Sequence, residues 1–218
     1  MVDRPAGAAL PDILPIFPLP GVLLLPRGRL PLNIFEPRYL AMTRDALAGE
    51  RLIGMIQPLD PVLREANPPV YPVGCAGRIT SFTETEDGRY LITLTGISRF
   101  RIRAELPLVE GYRRVVPDWD EFRRDLDSEA EGDFDRDRLV KGLRAFFHKH
   151  GIAADWEAVA KTPGERLVTS IAMICPFEPS EKQALLEAPN FAERARLLCA
   201  IVEMAAADLP RDGAGPRH

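Results

Sequence analysis

The chain has 218 residues, of which 46% are hydrophobic and 28% are charged, a composition that is ordinary for a soluble globular protein. The formal net charge of −4 gives no basis for attracting a nucleic-acid polyanion through bulk charge and leaves only the option of a local basic patch. The length predicts one large domain or two small ones around a sizeable core.

The cysteines and the N-terminus indicate the cellular compartment. Cys75, Cys175 and Cys199 are odd in number, far apart and embedded in apolar sequence, which is typical of buried thiols in a reducing compartment. The first 12 residues lack the apolar core of a signal peptide, and the run Val22–Leu25 is far shorter than a membrane helix requires. We therefore expect a cytoplasmic protein without a membrane span.

The stretch 14–40 alternates apolar residues with prolines and then changes character. Proline lacks an N–H donor, so strands here must be short, bent or at a sheet edge. Pro37 stands where the first turn of a helix tolerates proline. The stretch predicts two or three bent strands followed by one amphipathic helix. Its apolar residues, which we expect to seed the core, are Ile16, Phe17, Leu19, Val22, Leu23, Leu24, Leu25, Leu30, Leu32, Ile34 and Phe35.

Strand patterns continue to about residue 117. Residues 51–57 are typical of an internal strand, whereas the five prolines of 58–72 indicate an irregular surface loop. Residues 73–85 and 89–95 flank Glu86-Asp87-Gly88, where Asp-Gly favours the positive φ angles of a tight hairpin. The alternation in 99–106 predicts an antiparallel strand with one solvated, charged face, and 112–116 predicts the last strand.

The composition changes at residue 118, because 118–138 hold ten acidic residues and four arginines. We interpret 118–134 as an acidic linker between a β-rich subdomain (1–117) and a helical subdomain (135–208), with a flexible tail at 209–218. A metal site or an acidic interaction face is the alternative, but the spacing of an EF-hand is absent.

Helical periodicity and capping signals follow. Leu139, Leu143, Phe146 and Phe147 form the apolar stripe of a helix that Gly151 ends. Asp155 is a candidate cap for a short turn. Three capping-box patterns, which begin at Thr162, Ser180 and Asn190, predict further helices. The second half therefore predicts four or five short helices.

The sequence shows no recognisable catalytic motif. The sequence contains no phosphate-binding loop, no dinucleotide-binding glycine pattern and no nucleophile elbow. His148 and His150 lie at a predicted helix end, where they face the helix dipole and have no further ligand at metal spacing. Cys75 alternates with small residues on a strand, which favours packing over nucleophilic attack. We expect no catalytic residue, cofactor or metal.

Several strings of the sequence carry a family resemblance. The N-terminal strings are Pro15-Ile-Phe-Pro-Leu19, Val22–Leu25 with Pro26, Leu30-Pro-Leu-Asn-Ile-Phe-Glu-Pro-Arg-Tyr39 and Gly96-Ile-Ser-Arg-Phe-Arg-Ile102. They resemble the N-terminal substrate-binding domain of Lon proteases and, in particular, stand-alone Lon-domain proteins of bacteria. The C-terminal strings Glu181-Lys-Gln-Ala-Leu-Leu-Glu187 and Phe191-Ala-Glu-Arg194 are similar to the helical part of that domain.

The resemblance implies an α+β fold, in which a β-rich subdomain of the pseudouridine-synthase-and-archaeosine-transglycosylase (PUA) type with one helix precedes a helical bundle. It implies a domain that recognises unfolded or tagged polypeptides and contributes to self-association. A full Lon protease continues into an ATPase with a phosphate loop and a Ser-Lys protease domain. This sequence carries neither motif, so we expect no proteolysis.

Three hypotheses on function follow. The first is a non-catalytic module that binds polypeptides or a protein partner, as an adaptor or regulator of proteolysis. The second is RNA binding, suggested by the PUA-like fold and by an arginine-rich face. The third is an unrecognised hydrolase, which ranks last because no nucleophile has a visible partner. The arginines of the second hypothesis are Arg99, Arg101, Arg103, Arg113 and Arg114.

Glu36, Arg38 and Tyr39 are the candidate contact residues, because they open the first helix inside the most recognisable string. The structural alternative is that Pro37 and Tyr39 lock the strand-to-helix turn while Glu36 or Arg38 pairs internally. The proline-rich loop 58–72 is a second candidate, since a pre-ordered loop loses little entropy on binding.

Overall fold

The computed structural model of the chain describes residues 10–63, 65, 67–127 and 134–207. The chain divides into two compact units. The strand unit consists of Met1–Ala130 and Thr169–Glu187, and the helical unit consists of Glu131–Val168 and Ala188–His218. The predicted tail 209–218 lies outside the described residues.

Six strands form one mixed sheet in the strand unit. Its order is β2-β5-β4-β3-β1-β6, with β1 parallel to β3 and all other neighbours antiparallel. A further pairing of β5 with β6 closes five of the strands into a barrel and leaves β2 outside it. The strands are β1 (Leu14–Pro18), β2 (Arg29–Ile34), β3 (Leu52–Ile56), β4 (Val73–Glu84), β5 (Tyr90–Val109) and β6 (Tyr112–Asp118).

Phe100 fills the barrel. A Cβ atom on Gly54 or Gly74 would come within 2.9 Å of its ring, so both neighbours must lack a side chain for the ring to fit. The buried residues of this core are Leu14, Ile16, Leu52, Ile56, Ala76, Phe100 and Val115.

The proline-rich start folds as two strands and a helix, as predicted. Helix α1 spans Pro37–Ala48, with Pro37 in its first turn. The buried residues 23–25 lie in the connection between β1 and β2, not in a strand of their own. The prediction that Phe35 belongs to the core is wrong, because its side chain is 62% exposed. It follows the last paired residue of β2 and therefore has no neighbouring strand to cover it.

Strand β2 is an edge strand, since among the described strands it pairs only with β5. Pro31 lies in its middle, opposite Thr93. Proline cannot donate to a ladder, so its nitrogen must face away from β5.

The predicted hairpin is confirmed, with Glu84 paired to Tyr90. Of the two turn residues expected at positive φ, only Gly88 adopts it, at 78°. The strand predicted at 99–106 is the second half of β5, but its charged face is not solvated throughout. Arg99 is buried, because the acidic segment folds back over β5 as a 3-10 helix, Asp120–Leu126, and supplies Asp125.

Part or all of two helices of the second half belongs to the strand unit. Helix α4 (Gly164–Ile174) crosses the boundary between the units, and α5 (Pro179–Glu187) belongs to the strand unit. Gln183 on α5 donates to the Val73 carbonyl and accepts from Gln57, while Lys182 donates to the Gly21 carbonyl at 2.8 Å. The predicted division into 1–117, 118–134 and 135–208 follows the order of elements and stays a prediction.

The helical unit contains α2 (Arg136–His150), α3 (Trp156–Lys161), α6 (Phe191–Ala207) and the first residues of α4. Helices α2 and α6 pair through Arg138 and Glu203, whose closest atoms are 2.6 Å apart. The α+β class is confirmed.

Several helix ends match their predictions. Gly151 ends α2 at a φ of 64°, Asp155 accepts from two backbone N–H groups of α3, and Asn190 caps α6. The cap predicted at Ser180 is wrong, because Ser180 lies inside α5 and the cap is formed by Glu181, which accepts from the Glu178 N–H. The Thr162 hydroxyl donates to the Ala158 carbonyl of α3, and its capping box for α4 stays a prediction.

Candidate functional site

The predicted contact residues lie at the turn from β2 into α1. Arg38 donates from Nε and Nη2 to Oε2 of Glu36, at 3.0 and 2.8 Å. Both side chains are half-exposed. They form an internal pair, as the structural alternative expects, and the pair is still partly exposed to solvent.

Tyr39 lies beneath this pair. Only 7% of the residue is exposed, and its ring centroid is 4.1 Å from that of Phe17. The Arg38 guanidinium lies 4.6 Å from the centroid of the Tyr39 ring. Burial raises the pKa of the Tyr39 hydroxyl, with the nearby Arg38 charge acting in the opposite direction. Tyr39 therefore supports Arg38 and adds little surface of its own.

Helix α1 is fixed to the turn between β5 and β6, which the sequence pattern did not reveal. The Tyr112 hydroxyl donates to Asp45, and Arg44 pairs with Glu110, both at 2.8 Å. Glu110 and Gly111 adopt positive φ angles, and a Cβ at Gly111 would lie 3.4 Å from Cβ of Arg38. The Glu36–Arg38 pair thus stands on a platform of several packed elements.

Tyr112 makes the platform sensitive to alkaline pH. Burial, followed by the hydrogen bond to the Asp45 carboxylate, raises the pKa of Tyr112 to about 12. In the unfolded chain the phenol ionises near pH 10. Its stabilising contribution is therefore complete below about pH 10 and is lost as the pH rises to about 12. We expect the stability advantage of the wild type over Tyr112→Phe to shrink across that window, as measured by urea unfolding at pH 8, 10 and 11. An advantage that stays constant would contradict this assignment.

Exposed apolar side chains collect where β2, β5 and β4 end together. We define the hairpin-end surface as Phe35, Phe82, Tyr90 and Leu91. Phe82 is 40% and Leu91 45% exposed. Because Ile34 of β2 pairs with Tyr90 of β5, Phe35 emerges next to the turn of the hairpin. The sequence signal for this surface was the presence of apolar residues directly beside the Asp-Gly turn.

The hairpin-end surface has two sides. Phe82 lies opposite Ile92, on the side where Ile34 and Ile92 are buried, and its ring centroid is 5.1 Å from that of Tyr90. Phe82 and Tyr90 therefore extend the core face of the hairpin into solvent. Leu91 points to the opposite side, since successive strand residues alternate.

A second apolar surface lies on the proline-rich loop. We define the proline-loop surface as Leu59, Val62 and Leu63, all of which are exposed. Hydrogen bonds hold the loop at its base: Leu59 N–H donates to the Pro69 carbonyl at 2.8 Å, Tyr71 N–H donates to the Gln57 carbonyl at 2.9 Å, and Arg113 donates to the Pro68 carbonyl at 2.7 Å.

The exposed large apolar side chains concentrate in the strand unit. Met204 is the single example in the described part of the helical unit. A surface that binds a partner by burying apolar side chains is therefore expected on the strand unit. Its exposed apolar residues are Ile13, Phe35, Leu59, Val62, Leu63, Phe82, Leu91, Leu108, Leu126 and Ile174.

The arginines that suggested RNA binding are largely paired with carboxylates. Arg99 is buried against Asp125, and its closest oxygen lies at 2.8 Å. Arg101 pairs with Glu121 at 2.8 Å, and Arg113 pairs with Glu105 at 2.7 Å. Local carboxylates thus neutralise much of this arginine-rich face, in which Arg99 is buried and Arg103 stays exposed.

No metal cluster or reactive thiol stands out in the described residues. Within them, no group of three or more His, Cys, Asp or Glu side chains is placed to hold a metal ion. All three cysteines are buried, and burial raises the pKa of Cys175 to about 12, which disfavours the thiolate. Among the described helices, none has the length and apolarity to cross a membrane.

Comparisons with known proteins agree with this architecture. The model of the ATP-dependent protease La (LON) substrate-binding domain matches residues 13–203. Lon protease 2 of Sorangium cellulosum is 30% identical over 203 residues, which are 88% of this chain and 24% of that protein. Lon protease of Dictyoglomus thermophilum is 25% identical over 197 residues. The chain spans about a quarter of the length of these curated relatives.

Solved structures show the same fold. The Lon N-terminal domain protein from Xanthomonas campestris superposes with a TM-score of 0.61 at 21% identity, covering 86% of this chain and 97% of that one. The N-terminal domain of Mycobacterium avium complex Lon protease gives a TM-score of 0.60 at 18% identity, covering 87% and 97%. With the family model matching most of its length, the chain belongs to the family of Lon substrate-binding domains.

Proposed function

We propose that this protein is a non-catalytic module that binds unfolded or tagged polypeptide segments, as an adaptor or regulator of proteolysis. Membership of a substrate-binding family supports this proposal. The observation that carries it is the group of solvent-facing aromatic and aliphatic side chains at the hairpin end. Such side chains gain free energy when an unfolded segment covers them.

The predicted residues have distinct parts in this proposal. Phe35, Phe82 and Leu91 supply apolar contact area. Glu36 and Arg38 form a polar rim beside Phe35, which matches the usual arrangement of an apolar centre with a polar edge. Tyr39, being buried, positions Arg38 from below.

The test compares an unfolded ligand with its folded form. A fluorescently labelled model protein, unfolded by reduction and blocking of its cysteines, should bind with measurable anisotropy change, whereas its native form should not. The double variant Phe82→Ser/Leu91→Ser should weaken this binding about tenfold, because it removes apolar area that the ligand would bury. Circular dichroism establishes that the variant is folded.

The proline-loop surface offers the matched control. Leu59→Ser/Val62→Ser removes a similar amount of exposed apolar area and should change the affinity less than twofold. Loss of binding in this variant alone would move the site to the proline-loop surface. Equal binding of the folded and unfolded ligand, or no binding of either, would overturn the proposal.

The remaining parts of the proposal concern setting and assembly. The three buried cysteines, which lie far apart in the sequence, support action in a reducing compartment, the cytoplasm. We further propose that copies of the chain self-associate weakly, which sedimentation velocity at several concentrations tests. Screening against ester and peptide substrates tests the non-catalytic assignment.

A further inference from the structure

The tip of the β4–β5 hairpin is acidic. Residues 82–91 contain three acidic residues, Glu84, Glu86 and Asp87, and one basic residue, Arg89. Arg89 pairs with Asp87, Nε to Oδ2, at 2.8 Å. Within the described part of the chain, Glu84 and Glu86 have no ion pair, and both are exposed. The tip therefore presents two exposed carboxylates that form no ion pair with a described cation.

One of these carboxylates shares a side of the hairpin with the aromatic residues. Glu84 lies opposite Tyr90 in the antiparallel register, and Phe82 precedes it by two residues on the same strand. Residues two apart in a strand point to the same side. Glu84 therefore lies beside the Phe82–Tyr90 pair, about 7 Å from Phe82 along the strand. Glu86 follows in the turn.

A ligand that covers the aromatic pair must also approach these carboxylates. A negatively charged neighbour in the ligand would be repelled, whereas a lysine or arginine would be attracted and would still reach water. The spacing matches that of an extended ligand, in which side chains on one side also recur every 7 Å or so.

We propose that the hairpin end selects polypeptide segments in which a lysine or arginine lies two residues from an aromatic or large aliphatic residue. This inference rests on the proposed polypeptide binding and names the segments that are preferred. The acidic tip sets the charge preference, and the Phe82–Tyr90 pair supplies the apolar contact.

The test uses four labelled peptides of equal length and the intact protein. Three of the peptides share the same apolar residues, and two positions from each apolar residue they carry lysine, glutamate or serine. The fourth peptide keeps the lysines and has serine in place of the apolar residues. At physiological salt the lysine peptide should bind about five- to tenfold more tightly than the glutamate peptide, and the fourth peptide should not bind. The preference should fall when the salt concentration is raised.

Glu84→Gln/Glu86→Gln should reduce the preference to less than twofold and leave binding of the serine peptide unchanged. Asp12→Asn/Asp137→Asn is the matched control, since it removes two exposed carboxylates outside the hairpin and should retain the preference. A control that loses the preference equally would show an effect of net charge and overturn the inference.

The remaining outcomes separate the two proposals. Equal affinity for the lysine, glutamate and serine peptides would overturn the charge preference and leave polypeptide binding intact. Binding of none would overturn both. Binding of the fourth peptide as tight as that of the lysine peptide would show attraction by charge alone and overturn the role of the aromatic pair. If the wild type sediments as a dimer and Phe82→Ser sediments as a monomer, the surface binds a second copy of the chain. That result would also overturn the inference.

Discussion

Replacement of Asp125 with alanine is expected to lower the free energy of unfolding of the strand unit by about 3–5 kcal/mol. Asp125 accepts from the Arg99 backbone N–H and from Nε at 2.9 Å, and from Nη2 at 2.8 Å. Both side chains are 4% exposed. Without Asp125, the guanidinium would keep its bond to the Leu186 carbonyl and its stacking on Phe122, but its buried charge would lose the carboxylate that accepts from it at two points.

Urea unfolding followed by fluorescence measures this effect. Glu121→Ala is the matched control, because it breaks the exposed pair with Arg101 and should change the unfolding free energy by less than about 1 kcal/mol. The double variant Arg99→Met/Asp125→Leu should recover much of the loss, since no charge then remains buried. If Asp125→Ala is as mild as Glu121→Ala, the pair does not fasten the acidic segment to β5.

Phe100→Ala should destabilise the strand unit by about 3–5 kcal/mol, through lost burial and the cavity that remains. The side chain is fully buried and packs edge-on against Trp119, with ring centroids 5.8 Å apart. Gly54 and Gly74 have no side chains that could move into the vacated space. Phe82→Ala, which truncates an aromatic residue of the same size at an exposed position, should change stability by less than about 1 kcal/mol.

The two phenylalanines thus separate stability from binding. Thermal and urea unfolding of both variants, together with the peptide anisotropy assay, make the comparison. Phe82→Ala should weaken peptide binding at nearly unchanged stability. A large loss of stability in Phe82→Ala would show that the hairpin end is part of the core and would remove it as a contact surface.

Local chemistry made much of the fold predictable. The Asp-Gly turn of the hairpin, Pro37 at the start of α1 and Gly151 at the end of α2 each impose a backbone geometry that few residues accept. Alternation located the strands. These signals act within a few residues of the chain, so a sequence pattern contains them in full.

Long-range pairing was not predictable in the same way. Arg99 was assigned to a solvated face because alternation cannot show that Asp125, 26 residues later, covers it. Gln183 is the last residue of the capping-box pattern that begins at Ser180, yet it bonds to β4 across 110 residues of sequence. Capping and burial both tolerate such polar residues, and only the packing of α5 on the sheet decides between them.

The candidate site likewise has one part that local sequence predicts and one part that depends on long-range pairing. The pairing of Glu36 with Arg38 is local, and the structural interpretation anticipated it. The hairpin-end surface depends on how β2, β5 and β4 end together, which sequence spacing does not encode. Phe35 illustrates this, because its exposure follows from the absence of a strand beside the end of β2.

Pro31 in the edge strand bears on how an unfolded ligand can attach. A strand added to the open side of β2 would need alternating backbone hydrogen-bond donors and acceptors, and Pro31 supplies no donor. Strand addition, by which an exposed sheet edge binds any extended chain and grows into an aggregate, is interrupted at Pro31. In the proposed polypeptide binding, unfolded chains would therefore be held by their side chains and released without being incorporated into a growing sheet.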